Sequence, residues 1–234
     1  MRAEKMSVES SNIEVVEKYK NDDVLRGDYF KNSSKVDIPE TGVYPLKIDN
    51  RQLCSPTDYQ GNMPWCVGYS CAQLLEAYIW KYKGVLKNLD AAQIYAKAKE
   101  RDKMMNVGGT YVDLGLRCAM ELCGEELVSK WFMPKTSRSK SSQTVKRVLH
   151  MNDFAIAGFS ITQDWYHVTN EDFIIKGEEK TLGGHAVVIC GYDQTGVYIQ
   201  NHWGIGWGAK GFAILPWDLY ERELSQLCWL ECKQ

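Results

Sequence analysis

The sequence has 234 residues but only four histidines and six prolines, and it lacks features that define several protein classes. No stretch approaches the roughly 18 consecutive apolar residues of a membrane-spanning helix, because charged residues interrupt every apolar run. Neither sign of charge dominates, since 28 Lys and Arg oppose 30 Asp and Glu. The net charge of -2 provides no general attraction for nucleic acid or an anionic membrane, so neither is an expected partner.

The first residues, 1–7, also lack the apolar segment of a secretory signal peptide. We therefore expect the eight cysteines to be reduced thiols in a cytoplasmic protein, with export by another route left open. Four of them, Cys118, Cys123, Cys228 and Cys232, lack the paired spacing of a zinc site. No metal and no other cofactor is expected.

The remaining composition is that of a globular protein, with 44% hydrophobic and 25% charged residues. Residues 1–40 are charge-dense and contain one short amphipathic stretch, 13–19, so we interpret them as an N-terminal extension. A passive tail is the preferred interpretation, and a regulatory segment is the alternative. The domain proper is expected to cover residues 41–234.

The apolar pattern changes its period along this domain. Helical spacing starts at Val67 and stops at Gly84, Asp90 is a candidate cap for a second helix, and a third is predicted from Val112 to Gly124. Short β-branched or aromatic runs then predict strands at 154–162, 185–192, 197–201, 212–215 and 228–232. The pattern favours an α+β fold, with a helical lobe at about 51–130 and a β-rich lobe at about 131–234.

One histidine stands in a setting that suits catalysis. His185 follows two glycines and opens an apolar strand, whereas the residues around His150 and His167 do not suggest a catalytic partner for either histidine. Asn201 ends the next predicted strand, and antiparallel pairing of the two strands would bring the two side chains together. A cysteine nucleophile needs a base of this kind, and the base needs a group that fixes its tautomer.

Cys66 is the candidate nucleophile because it lies where the first predicted helix begins. The helix dipole favours an anion there, and we expect this position and a paired imidazolium to lower the pKa of the thiol. Gln60 precedes Cys66 on an irregular segment and supplies an amide donor. Together with a backbone N–H at the helix start, this amide would stabilise a developing oxyanion.

The order Gln60, Cys66, His185 and Asn201 resembles that of the papain-like cysteine peptidase family. The string Asn-His-Trp-Gly-Ile-Gly-Trp-Gly that begins at Asn201 is similar to a motif of that family. The resemblance covers about residues 42–217. It implies a two-lobe fold in which a helical lobe and an antiparallel sheet lobe flank an active-site cleft.

The resemblance also implies roles for residues outside this set of four. Gly108 and Gly109 resemble glycines that present their backbone to the substrate, and Trp203 and Trp207 resemble tryptophans that shield the Asn–His contact and border the leaving-group side. Trp65 is bulky where the family has a small residue beside the nucleophile, so it is expected to alter the shape of the cleft.

The expected function is thiol-dependent hydrolysis of peptide or isopeptide bonds in a polypeptide substrate, through an acyl-enzyme intermediate. One alternative is acyl transfer, in which an amine replaces water at the same intermediate. The other is a catalytically silent papain-like protein that binds a partner in the cleft. The sequence leaves the oligomeric state open.

Overall fold

The computed structural model describes residues 35–36, 42–104, 106–124, 128–134, 141–177 and 180–232. Five α-helices occur in these ranges: α1 (Cys66–Lys83), α2 (Ala91–Asp102), α3 (Val112–Ala119), α4 (Ser142–Asn152) and α5 (Trp217–Glu223). The strands are β1 (Lys35–Val36), β2 (Ile48–Asp49), β3 (Val128–Pro134), β4 (Ala155–Thr162), β5 (Thr181–Tyr192), β6 (Gly196–Gln200), β7 (Phe212–Pro216) and β8 (Leu224–Cys232). None of the described helices is both long and apolar enough to cross a membrane.

The first three helices form where the sequence predicts them. Helix α1 ends at Gly84, which adopts a left-handed φ of 63° that glycine tolerates without a steric penalty. Helix α2 is capped by Asp90, whose carboxylate accepts a hydrogen bond of 2.9 Å from the backbone N–H of Gln93. Helix α3 continues as a π-helical turn, Met120–Gly124, so the third predicted helix also ends at Gly124.

The strands form a sheet in the order β1-β3-β8-β4-β5-β6-β7, and β2 pairs with β5. Every pairing between two of these strands is antiparallel except that of β1 with β3. The α+β class with an antiparallel sheet lobe, as expected from the sequence, is therefore confirmed. Residues 35–36 come from the predicted N-terminal extension and pair with Met133 and Pro134 at the sheet edge, whereas the stretch 13–19 lies outside the described residues.

Two strands begin earlier than the sequence predicts. Strand β5 begins at Thr181, so His185 lies within the strand and does not open it. Strand β8 begins at Leu224, ahead of the predicted start at Cys228. Strand β3 and helix α5 were not predicted, and β3 begins inside the range assigned to the helical lobe.

Both faces of the sheet are covered, and strand β5 divides its side chains between them. Ala186, Val188 and Cys190 pack in the same buried cluster as α1, α2 and α3. Val187 and Ile189 point the other way, into a second cluster that contains residues of α4 and α5. This alternation is the period of two that a strand imposes on its side chains. The helical lobe therefore packs directly against the strand that carries His185.

Candidate active site

His185 and Asn201 are brought together by the pairing of β5 with β6. Gln200 pairs with Val188, so Asn201 lies one position beyond β6 and diagonally opposite His185. His185 Nε2 lies 2.9 Å from Asn201 Oδ1, and both side chains are buried. The amide oxygen can only accept, so Nε2 donates, and Nδ1 is left as the basic nitrogen.

The surroundings of His185 favour its neutral form. Burial lowers the pKa of His185 to about 4, and the hydrogen bond with Asn201 opposes that shift only in part. Three aromatic rings surround the imidazole, with ring centroids at 4.8 Å for Trp203, 4.9 Å for His202 and 6.1 Å for Trp165. A neutral imidazole is the form that can accept a proton from a thiol.

Cys66 is the first residue of α1, and its sulfur faces strand β5. The backbone N–H groups of Ala186, Val67 and Cys66 itself point toward the sulfur and favour the thiolate. The packed surroundings of the sulfur nevertheless outweigh these donors and raise the pKa of the Cys66 thiol, although the residue as a whole is partly exposed. The expectation of a lowered pKa was therefore wrong. The surroundings therefore favour the neutral form of both the Cys66 thiol and the imidazole of His185, the residue that precedes Ala186.

Gln60 is held beside the site by the backbone. Its N–H donates to the His202 carbonyl at 2.9 Å, and the Gly204 N–H donates to the Asp58 carbonyl at 2.8 Å. The side-chain nitrogen donates to the Met63 carbonyl at 2.7 Å. An amide nitrogen carries two hydrogens, so one N–H stays available to an oxyanion. The role of Gln60 as a donor to substrate stays a prediction.

The two tryptophans of the C-terminal motif occupy different depths. Trp203 contacts the His185 ring and stacks on Tyr166 at 4.6 Å with an angle of 6° between the planes. Trp207 is only 7% exposed, and its indole N–H donates to the Trp165 carbonyl at 2.6 Å. Trp203 therefore packs directly on the imidazole. Trp207 is buried behind Trp203, packs against it, and has little exposed surface for contact with a substrate.

The other predicted substrate contacts lie around Tyr95. The Trp65 ring is 6.1 Å from the Tyr95 ring, and the backbone N–H of Gly109 points toward the Tyr95 hydroxyl. Gly109 adopts a φ of 78° and faces open space, as a loop that borders a cleft would. Contact of Gly108, Gly109 or Trp65 with a substrate stays a prediction.

His202 was not predicted from the sequence to belong to the site, although it forms hydrogen bonds with several of the residues there. Its backbone N–H donates to Asn201 Oδ1 at 2.9 Å. Its imidazole is fully buried and lies 3.0 Å from the Ala186 carbonyl oxygen and 3.1 Å from Ser70 Oγ. The only sequence signal is its position directly after Asn201.

Six cysteines whose side chains the structure describes are free thiols: Cys54, Cys66, Cys71, Cys118, Cys190 and Cys228. Of these, Cys54 and Cys66 are partly exposed and the others are buried. Cys123 and Cys232 have side chains outside the described part of the structure. That the cysteines are reduced in the protein's own compartment stays a prediction.

Comparison with known proteins gives matches in structure only. No family model and no curated protein matches the sequence. Xylellain, a cysteine protease from Xylella fastidiosa, matches with a TM-score of 0.66 and 16% identity over 87% of this chain and 98% of that one. A cysteine protease from Carica candamarcensis, CMS1MS2, matches with a TM-score of 0.63 and 18% identity over 81% of this chain and 100% of that one.

Bromelain from Ananas comosus is a third similar structure, with a TM-score of 0.61 and 16% identity over 81% of this chain and 100% of its own. All three are cysteine proteases, and the alignments span nearly the whole of each of them. This chain has the papain-like cysteine protease fold.

Proposed function

We propose that this chain is a cysteine protease that hydrolyses peptide or isopeptide bonds through Cys66, His185 and Asn201. The observation that carries the proposal is the buried hydrogen bond of 2.9 Å between His185 Nε2 and Asn201 Oδ1, together with the Cys66 sulfur at the start of α1, which faces the backbone N–H of the residue after His185. This hydrogen bond sets the tautomer that leaves Nδ1 free to take a proton. The papain-like fold supports the same function.

The first half of the reaction forms an acyl-enzyme. The Cys66 thiol transfers its proton to His185 Nδ1 as the sulfur attacks the substrate carbonyl carbon. The carbonyl oxygen becomes an oxyanion, which the Gln60 amide and the Cys66 backbone N–H stabilise. The imidazolium then gives its proton to the departing amine, and a thioester between Cys66 and the acyl group remains.

The second half regenerates the thiol. Neutral His185 takes a proton from a water molecule, and the resulting hydroxide attacks the thioester carbonyl. The acid product leaves with the water oxygen, and the proton held by His185 returns to the Cys66 sulfur. Asn201 keeps the imidazole oriented through both halves. The base starts and ends neutral, as its low pKa requires.

A second candidate is the catalytically silent binding protein. Two observations favour it: burial raises the pKa of the Cys66 thiol, so no ion pair is formed in advance, and the Gln60 amide nitrogen already donates to the Met63 carbonyl. In this case the cleft would hold a polypeptide without cleaving it.

Digestion of a peptide library tests the proposal, with the wild type, Cys66→Ala and Cys54→Ala compared by mass spectrometry. Cys54 is the matched control because it is the other partly exposed free thiol among the described side chains. We expect cleavage by the wild type and Cys54→Ala, but not by Cys66→Ala. Products that have gained water indicate hydrolysis, and products that have gained an amine indicate acyl transfer. Binding without cleavage by the wild type would favour the silent protein.

A further inference from the structure

We infer that His202 is a positioning residue that holds the base, the orienting amide and the oxyanion donor in place relative to the thiol. The inference rests on the proposed function, because it assigns His202 to the same site. Unlike Cys66, His185 and Gln60, His202 touches no reacting atom. Its contribution comes from the hydrogen bonds of its backbone and of its imidazole.

The backbone of His202 joins two parts of the site. Its N–H donates to Asn201 Oδ1 at 2.9 Å, the same oxygen that lies 2.9 Å from His185 Nε2. Its carbonyl accepts the N–H of Gln60, also at 2.9 Å. One peptide segment therefore fixes the amide that orients the base and the segment that carries the oxyanion donor.

The imidazole of His202 joins the helical lobe to the sheet. Nε2 lies 3.0 Å from the Ala186 carbonyl oxygen on β5 and 3.1 Å from Ser70 Oγ on α1. A carbonyl oxygen can only accept, so Nε2 carries a hydrogen that the two oxygens share. The backbone N–H of Ala186 in turn faces the Cys66 sulfur. The imidazole thus holds α1 and β5 together at the level of the thiol and the base.

This arrangement requires His202 to stay neutral while His185 gains a proton during the reaction. Its Nδ1 is buried and has no hydrogen-bond partner among the described residues, so a second proton would add a donor with no acceptor. The titratable groups in ring contact with it are His185 on β5, at 4.9 Å, and Tyr69 on α1, at 5.5 Å. A charge on His202 would oppose formation of the His185 imidazolium.

Two substitutions separate the hydrogen bond from the bulk of the side chain. In His202→Gln, the amide nitrogen can take the place of Nε2 and donate to the Ala186 carbonyl, but it does not titrate. In His202→Leu, the donor is lost and the Ala186 carbonyl is left unpaired. The control is Gln200→Leu, which removes a buried side chain that donates to the Ser55 carbonyl at 2.7 Å, outside the site.

We expect His202→Leu to lower kcat by about 10- to 100-fold with little change in KM, and His202→Gln to stay within about fivefold of the wild type. Gln200→Leu should lower the melting temperature without changing kcat per titrated site. Equal kcat for His202→Leu and the wild type would overturn the inference. A decrease in kcat for His202→Gln as large as that for His202→Leu would also overturn it, because loss of the hydrogen bond to the Ala186 carbonyl would then not explain the decrease.

The rate at which iodoacetamide alkylates Cys66, followed from pH 5 to 10, gives a readout that needs no peptide cleavage. His202→Leu should slow alkylation near neutral pH, where the thiol depends on His185 to take its proton, and should converge with the wild type at high pH. If His202→Leu does not fold, Ser70→Ala tests the same link and should slow alkylation in the same pH range. An unchanged alkylation profile in a folded variant overturns the inference, whereas absence of peptide cleavage by the wild type overturns only the proposed function.

Discussion

The buried, neutral state of His185 should make the protein less stable in acid. The pKa of His185 is lowered from 6.5 to about 4 by burial, so between these two values the unfolded chain binds a proton that the folded chain does not. Folding stability therefore falls as the pH decreases from 6.5 to 4. Each pKa unit corresponds to about 1.4 kcal/mol, and the part of the shift already expressed at pH 4.5 amounts to about 2.5 kcal/mol.

The measurement is urea unfolding at pH 7.5 and at pH 4.5, in a Cys66→Ala background that removes thiol chemistry. Three carboxyl groups titrate in the opposite sense, because desolvation raises the pKa of the half-buried Asp58 and of the buried Glu76 and Asp113. The contribution of His185 is therefore read as a difference between the parent and His185→Gln. We expect the parent to lose about 2.5 kcal/mol more than the variant between the two pH values.

A matched buried site provides the control for this experiment. Gln200→Leu changes a fully buried side chain close to the site but removes no titratable group, so its pH dependence should equal that of the parent. If His185→Gln shows the same loss of stability on acidification as the parent, then His185 is not held neutral by burial. That result would also remove the reason for assigning it as a neutral base.

Labelling of thiols, turnover of a variant and stability of a glycine substitution each test one feature of the structure. Iodoacetamide should label Cys66 first, because His185 is available to take its proton, and Cys54 second, because the other described thiols are buried. Peptide mapping that shows faster labelling elsewhere would contradict this order. Asn201→Ala should lower kcat by about 10- to 100-fold, less than Cys66→Ala does, since it loses one hydrogen bond to the base. If steady-state assays show an equal and complete loss of activity in both variants, Asn201 has a larger role than orienting the base. Gly68→Ala should lower the free energy of unfolding by about 1–3 kcal/mol, because the new methyl group would clash with the Ala91 carbonyl. The control is Gly184→Ala, whose methyl group would meet no atom within 4 Å, and urea unfolding should show no comparable loss of stability in this variant.

The helices were predictable because their signals are local. Helix α1 has an apolar spacing that ends at Gly84, and α2 has a cap at Asp90, so neighbouring residues determine both. Strand β3 could not be found in this way, since it is stabilised by pairing with β8 far along the chain. Helix α5 has only seven residues, too few to show a helical period.

The candidate site shows the same division between local and long-range information. The adjacency of His185 and Asn201 was expected from the order of two strands, and the structure places them in contact. The raised pKa of Cys66 was not expected, because burial depends on packing between the lobes and a helix start does not reveal it. His202 was missed because its side-chain partners, Ser70 and Ala186, are distant in the sequence.

The alternation of side chains along β5 limits how this protein can change in length. Residues 186, 188 and 190 serve one buried cluster and residues 187 and 189 the other, so inserting a single residue after His185 would send every apolar side chain to the wrong face. Both clusters would be lost together, along with the distance from His185 to Asn201. Natural variation in length should therefore accumulate in the connections between strands. Within β5, the register that sets the distance from His185 to Asn201 is the same register that buries the apolar side chains in the two clusters.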